Sequence, residues 1–210
     1  MTILFDLDGT LIDSTEAILE SFGVSFKEFD LKIPSDDVIK SFIGYPLEIM
    51  YKELGIKTEN IADIVAIYKK HYREISRKKT TLLLNAKEAL EEASKFAVLG
   101  VVTTKTKRYS LELLEYMDIL RYFKVIIGRE DVQNPKPHPE PILKAMDILD
   151  AKIEKTWMIG DTRMDIESAK GANIQHCAVL CGYGNIDELT MNGNLIFLNT
   201  LEAIKYIQKL

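Results

Sequence analysis

Cysteine is nearly absent from this chain: only Cys177 and Cys181 occur among 210 residues. So few thiols exclude a disulfide framework. Their spacing is not Cys-x-x-Cys, and His176 is the only histidine beside them, which argues against a zinc site. Both are read as reduced thiols. Long apolar runs are missing too, and no stretch reaches the length that spans a bilayer. The chain passes from Met1 straight into an apolar segment and Asp6, without the basic segment and cleavage site of a secretory signal. A cytoplasmic location and no membrane partner are therefore expected. A basic balance is also lacking: the net charge of −5 argues against a nucleic-acid partner. Proline is sparse, and four of the six prolines crowd into 135–141. No internal repeat or low-complexity tract occurs.

What is present suits a globular protein with a sizeable core, 47% of the residues being hydrophobic. The length fits one large domain, or one domain plus an insertion. From 14 to 80 the pattern is helical almost throughout. Ser14 can cap a helix carrying Ala17, Ile18 and Phe22. Ser35, Asp36 and Asp37 ahead of Val38 and Ile39 mark a second start. Pro46 opens a third helix through Leu47, Met50 and Leu54, at a first helical position. A fourth spans 60–75, with Ile61, Ile64, Val65 and Tyr68 at helical spacing. After Thr81 short β-rich runs at 96–102, 124–127, 156–159, 176–180 and 195–198 alternate with helical stretches at 107–117, 141–149 and 163–171. Such alternation predicts a parallel sheet with helices on both faces. The sheet also needs the N-terminal run Ile3-Leu4-Phe5. The expectation is an α/β fold: a Rossmann-like parallel-sheet core from 1–13 and 81–210, with an inserted all-helical domain at 14–80.

Ligands of open α/β sheets bind outside the carboxyl ends of the strands, and four suggestive segments lie just there. Asp6-Leu7-Asp8-Gly9-Thr10 ends the first run. Side chains alternate along a strand, so Asp6 and Asp8 share one side. Two converging carboxylates repel unless a cation joins them, and oxygen ligands suit Mg²⁺; a carboxylate can also attack phosphorus. Thr103-Thr104-Lys105 follows 96–102, where a hydroxyl and main-chain N–H groups at a helix start can take an anion. Asn134-Pro135-Lys136-Pro137-His138-Pro139-Glu140-Pro141 is a rigid extended loop, and it holds Lys136, a point charge for phosphate, in one place. Gly160-Asp161-Thr162-Arg163-Met164-Asp165 follows 156–159, and Asp165 comes one helical turn after Asp161. Each segment has a plainer reading: a polar turn, a cap by Thr103, a stiff connector with a solvated lysine, a cap by Asp161. His138 reads as an exposed loop residue. Together they supply what phosphoryl transfer needs, positioning and stabilisation of negative charge on the phosphoryl oxygens.

With these residues in view, the chain resembles the haloacid dehalogenase superfamily, in its phosphatase branch with a helical cap, close to phosphoglycolate phosphatases. Asp6-x-Asp8-Gly9-Thr10-Leu11-x-Asp13-Ser14 fits the first motif of the family, Thr103 the second, Lys136 in Lys-Pro-His-Pro-Glu-Pro the third, and Gly160-Asp161 with Asp165 the fourth. Thr104 departs from the asparagine often found there. The resemblance implies that Asp6 forms an aspartyl-phosphate and that Asp8 protonates the leaving oxygen and then activates water. It implies Mg²⁺ held by Asp6, the Asp8 carbonyl and Asp161 with Asp165 in support. Gly9, Thr103, Thr104 and Lys136 would bind the phosphate and Thr10 would support the site. The block 14–80 becomes a cap domain whose loop Gly44-Tyr45-Pro46 faces the substrate, though a turn between helices accounts for that loop equally well. The basic groups Lys69-Lys70-His71 and Arg77-Lys78-Lys79 could attract anionic substrates, but read chiefly as a solvated helix face and hinge region. Dehalogenases of the superfamily lack an aspartate at the Asp8 position, and P-type ATPases carry threonine there.

The implied function is a Mg²⁺-dependent phosphatase acting on a small phosphorylated metabolite, a phosphate monoester such as phosphoglycolate. Inorganic pyrophosphatase is an alternative. A phosphomutase of the β-phosphoglucomutase type is another, but the loop 41–47 lacks the basic residue those enzymes use for a second phosphate. A phospho-acceptor signalling domain shares the acidic cluster, Thr and Lys, and the inserted helical block argues against it.

Overall fold

The structure, a computed structural model, describes residues 1–190 and 194–210. In chain order the elements are β1 (Thr2–Phe5), β2 (Ile12–Asp13), α1 (Thr15–Glu28), α2 (Asp36–Lys40), α3 (Leu47–Glu53), α4 (Ile61–Ile75), β3 (Thr81–Leu82), α5 (Ala86–Ala93), β4 (Val98–Val102), α6 (Lys107–Tyr116), β5 (Phe123–Ile127), α7 (Glu140–Ile148), β6 (Thr156–Gly160), α8 (Arg163–Gly171), β7 (Gln175–Val179), α9 (Ile186–Thr190), β8 (Leu195–Phe197) and α10 (Thr200–Ile207). Single 3₁₀ turns punctuate the loops, one of them at Arg129–Asp131.

β1 is buried along its whole length because both sheet faces are covered, which is why Ile3-Leu4-Phe5 reads as a continuous apolar run rather than an alternating one. Alternation instead decides which layer each side chain joins. Ile3 and Phe5 pack with Leu90 of α5, Leu113 of α6 and Ile204 of α10. Leu4, between them, points to the other face and packs with Ile142 of α7 and Ala169 of α8. The six strands run β5-β4-β1-β6-β7-β8, all pairs parallel. From β1 the chain builds outward to β4 and β5, then returns across the sheet to β6 and builds the other way. The crevice that such a reversal opens lies at the carboxyl ends of β4, β1 and β6.

The helices α1–α4 enclose a second, aromatic core. Phe22 lies 4.7 Å from Tyr51 and 5.0 Å from Tyr68 between ring centroids, and Tyr68 stacks on Tyr72 at 5.6 Å. The Ser25 and Tyr51 hydroxyls, both buried, satisfy each other at 2.6 Å. Where the chain leaves the sheet layer and where it returns, β2 and β3 pair antiparallel, with Ile12 opposite Leu82 and Asp13 opposite Thr81.

Local details differ from the sequence reading for identifiable reasons. The strand expected at 96–102 starts at Val98, since the N–H groups of Phe96 and Ala97 close the end of α5 on the Ala93 carbonyl. α5 lies outside the helical stretches expected from the sequence. Pro46 stands just outside α3, extended at ψ 144°, rather than within its first turn. Thr106, not Thr103, occupies the cap position of α6, and Thr162, not Asp161, caps α8. No helix among the described residues is long and apolar enough to cross a membrane.

Candidate active site

Three adjacent parallel strands deliver the site. Asp6 follows β1, Thr103 follows β4 and Asp161 follows β6. The Asp6 N–H donates to the Ile159 carbonyl at 2.9 Å, extending the strand pairing by one bond and fixing where its carboxylate stands. Asp8, two residues on, lines the same cavity as Asp6. The loop then turns at Gly9, whose φ of +83° is open to glycine at little cost. A Cβ there would also stand 2.2 Å from Asp161 Oδ2, so glycine is needed for approach as well as for conformation.

Asp161 is fully buried. The Thr10 hydroxyl donates to its Oδ1 at 2.8 Å and the Tyr183 N–H to its Oδ2 at 2.8 Å. Asp165 is fixed by the first turn of its own helix: its Oδ2 accepts from the Thr162 N–H at 3.0 Å and the Thr162 hydroxyl at 2.7 Å. Its Oδ1 accepts from Lys136 Nζ at 2.5 Å. Lys136, 2% exposed, also donates to the Val102 carbonyl at 3.0 Å. It lies 2.9 Å from Asp6 Oδ1 but off the hydrogen-bonding direction, an ion pair that leaves that oxygen without a hydrogen bond. The proline-rich loop thus brings its lysine into the interior, and His138 stays at the surface with Nδ1 accepting the Glu140 N–H.

Asp6, Asp161 and Asp165 can each place one carboxylate oxygen within 4.8 Å of the others. The three carboxylates outnumber the one ammonium, which pairs with Asp6 and Asp165, and the imbalance shows in their proton affinities. Burial, with Asp165 adding to it and Lys136 opposing it, pushes the Asp6 carboxyl up to about 7. Burial and the charges of Asp6 and Asp165 push Asp161 well above the carboxylate range. Burial works against the charge of Lys136, yet Asp165 and Asp6 hold it above the ordinary lysine range. A divalent cation would relieve this excess of negative charge, and an all-oxygen donor set suits Mg²⁺. The residues therefore fit the metal.

Thr103 is buried beside the cavity, and its Oγ1 accepts the Lys105 N–H at 3.1 Å. Thr104 lines the cavity and its hydroxyl donates to the Gly44 carbonyl at 2.9 Å, joining the loop after β4 to the loop before α3. Gly44 and Tyr45 line the cavity, whereas Pro46 is outside the lining and precedes α3.

Several residues around the site escaped the sequence reading. Lys105 Nζ lies 3.1 Å from Asp8 Oδ2 and donates to the Tyr72 hydroxyl at 2.9 Å. Ser14 Oγ donates to the other Asp8 oxygen. Tyr183 packs beside Gly9, its hydroxyl 3.0 Å from that of Thr15. Arg129, after β5, lines the cavity. Among these Lys105 had a signal, its place directly after a strand and two threonines, and Ser14 stood at the end of the first motif. The two cysteines are free thiols; burial pushes Cys177 up to about 12 and Cys181 up to about 11, so both stay protonated at neutral pH.

A family model described as haloacid dehalogenase-like hydrolase matches residues 3–179. The chain is 38% identical over 180 residues to a pyrophosphatase, PpaX, of Oceanobacillus iheyensis, covering 85% of this chain and 82% of that one. It is 34% identical over 184 residues to a phosphoglycolate phosphatase of Aquifex aeolicus, covering 86% and 85%. Among solved structures, a haloacid dehalogenase-like hydrolase of Streptococcus pneumoniae superposes with a TM-score of 0.89 at 30% identity, over 99% of this chain and 98% of that one.

Proposed function

Because the chain belongs to the haloacid dehalogenase-like hydrolases, whose matched members include phosphatases, we propose that it is a Mg²⁺-dependent phosphatase of a small phosphate monoester of the phosphoglycolate kind. The observation that carries this reading is the convergence of three buried carboxylates, two of them paired with one buried ammonium, beyond the ends of neighbouring parallel strands.

In this reading Asp6, Asp161 and the main chain at Asp8 would hold Mg²⁺, with Asp165 in support, and the ion would supply neutralisation of charge on the phosphoryl oxygens. Asp6 attacks phosphorus and forms an aspartyl-phosphate. Lys136 and the Thr103 hydroxyl hold the phosphoryl oxygens. Asp165, both of whose oxygens accept hydrogen bonds, acts mainly by fixing the Lys136 ammonium. Asp8, steadied by Ser14 and Lys105, gives its proton to the leaving oxygen and then takes one from the water that splits the intermediate. The segment 14–80 acts as a cap over the core formed by 1–13 and 81–210, with Gly44 and Tyr45 closing on the substrate and excluding water. A cavity of about 70 Å³ beside Asp6 and Asp8 suits a small substrate. Inorganic pyrophosphate is the second reading, favoured by the relative named for it.

The test is phosphate release from 2-phosphoglycolate, pyrophosphate, hexose phosphates and nucleotides, with Mg²⁺ and with chelator. Release that needs Mg²⁺ and vanishes in Asp6→Asn is expected. Normal turnover by Asp6→Asn would sink the proposal.

A further inference from the structure

We propose that Lys105 and Arg129 bind a second anionic group of the substrate, so that the site selects small molecules carrying negative charge beyond the transferred phosphoryl group. This rests on the phosphatase reading and names the residues that would set its specificity.

Three cations line the cavity beside Asp6 and Asp8: Lys69, Lys105 and Arg129. Lys69 is balanced by Glu48 at 3.8 Å, and both are substantially exposed. Lys105 pairs with Asp8 at 3.1 Å, a residue of the site itself, and Arg129 is the cation left without such a partner. Lys105 has a side chain 10% exposed, and its ammonium lies 4.5 Å above the Tyr72 ring. Two of its three protons serve Asp8 and Tyr72, and an ammonium offers a third. Arg129 donates from Nη1 to the Val132 carbonyl at 3.2 Å, while its Nε is buried without an acceptor among the described residues. No carboxylate pairs with Arg129 among the described residues. A buried donor left unpaired is costly, more so on a charged group, and an arriving carboxylate or phosphate oxygen would satisfy it. The guanidinium is shaped to take such groups through paired N–H bonds.

The two cations are held together by the fold. The Arg129 N–H donates to the Lys105 carbonyl at 3.0 Å, which ties the loop after β5 to the loop after β4. The loop 41–47 carries no lysine or arginine, so the positive wall comes from the sheet side of the cavity. Lys105 follows Thr103 by two residues, and its ammonium lies 3.1 Å from Asp8 Oδ2, next to the reacting centre.

The experiment compares kcat and KM for 2-phosphoglycolate, pyrophosphate and ethyl phosphate, in the wild type, Arg129→Gln, Arg129→Lys and Lys105→Gln. Ethyl phosphate carries the reacting group without a second anion. A hydrogen bond to a charged group accounts for about a tenfold to hundredfold change. The expected result is that Arg129→Gln lowers the preference for 2-phosphoglycolate or pyrophosphate over ethyl phosphate by at least roughly tenfold, mostly through KM. Arg129→Lys should recover part of it, and Lys105→Gln should lower the same ratio. A fall for 2-phosphoglycolate alone identifies a carboxylate as the second group, and a fall for pyrophosphate alone a phosphate. An unchanged ratio, or equal losses on all three substrates, overturns the inference while leaving the phosphatase reading intact. Absence of release from every substrate by the folded wild type with Mg²⁺ overturns both.

Discussion

Replacing Asp6 by asparagine should abolish turnover and yet make the metal-free protein more stable at neutral pH. The folded protein raises the Asp6 carboxyl from 3.8 to about 7, chiefly through burial. A carboxyl held above its unfolded value takes up a proton on folding between the two. Its penalty is absent below about pH 4, grows as the pH rises, and is complete above about pH 7. Three units correspond to roughly 4 kcal/mol at 1.36 kcal/mol per unit. The substitution also deprives Lys136 of one of its two ion pairs, though Asp165 at 2.5 Å remains. A net gain of about 2 kcal/mol is expected, or a rise of about 1 M in the urea midpoint for a slope near 2 kcal/mol per molar. Urea unfolding in chelator at pH 7.5 and pH 5 measures it. The wild type should gain stability toward pH 5, and the difference between the proteins should shrink. Saturating Mg²⁺ should stabilise the wild type, by about 2.7 kcal/mol at a hundred times Kd, and the variant much less. An Asp6→Asn protein less stable than wild type in chelator at pH 7.5 would refute the electrostatic argument.

Two further outcomes follow from the geometry. Thr10→Val removes the hydrogen bond that orients Asp161 Oδ1, and Mg²⁺ affinity measured by titration calorimetry should fall about 10- to 100-fold while the fold persists. Tyr51→Phe leaves the buried Ser25 hydroxyl its Phe22 carbonyl partner, so urea unfolding should show a loss of only about 1 kcal/mol, with activity retained.

The sheet was legible because its central strands are buried on both faces, and Ile3-Leu4-Phe5 or Trp157-Met158-Ile159 leave little else to be. The acidic and basic residues at strand ends were legible from order and spacing, since a parallel sheet aligns such ends. The roles of Lys105 and Arg129 were not, because a lysine or arginine in a loop reads as solvated until its partners are known, and Tyr72 reaches Lys105 from across 33 positions. The Thr10 bond to Asp161 spans 151 positions and the Tyr183 N–H bond comes from a glycine-flanked turn. The pairing of β2 with β3 involves two residues on each side, too short for any alternation to register.

That short pairing bears on how the fold can change. Antiparallel partners sit about 5 Å apart, so the excursion through α1–α4 starts and ends at nearly the same point on the sheet. Its ends are joined whatever lies between them, and closing a longer excursion adds only about 0.6 kcal/mol per doubling. The junction at Ile12 and Leu82 is thus a socket: helices can be lengthened, traded or cut back to a turn there without shifting the register of β1 or moving Asp6.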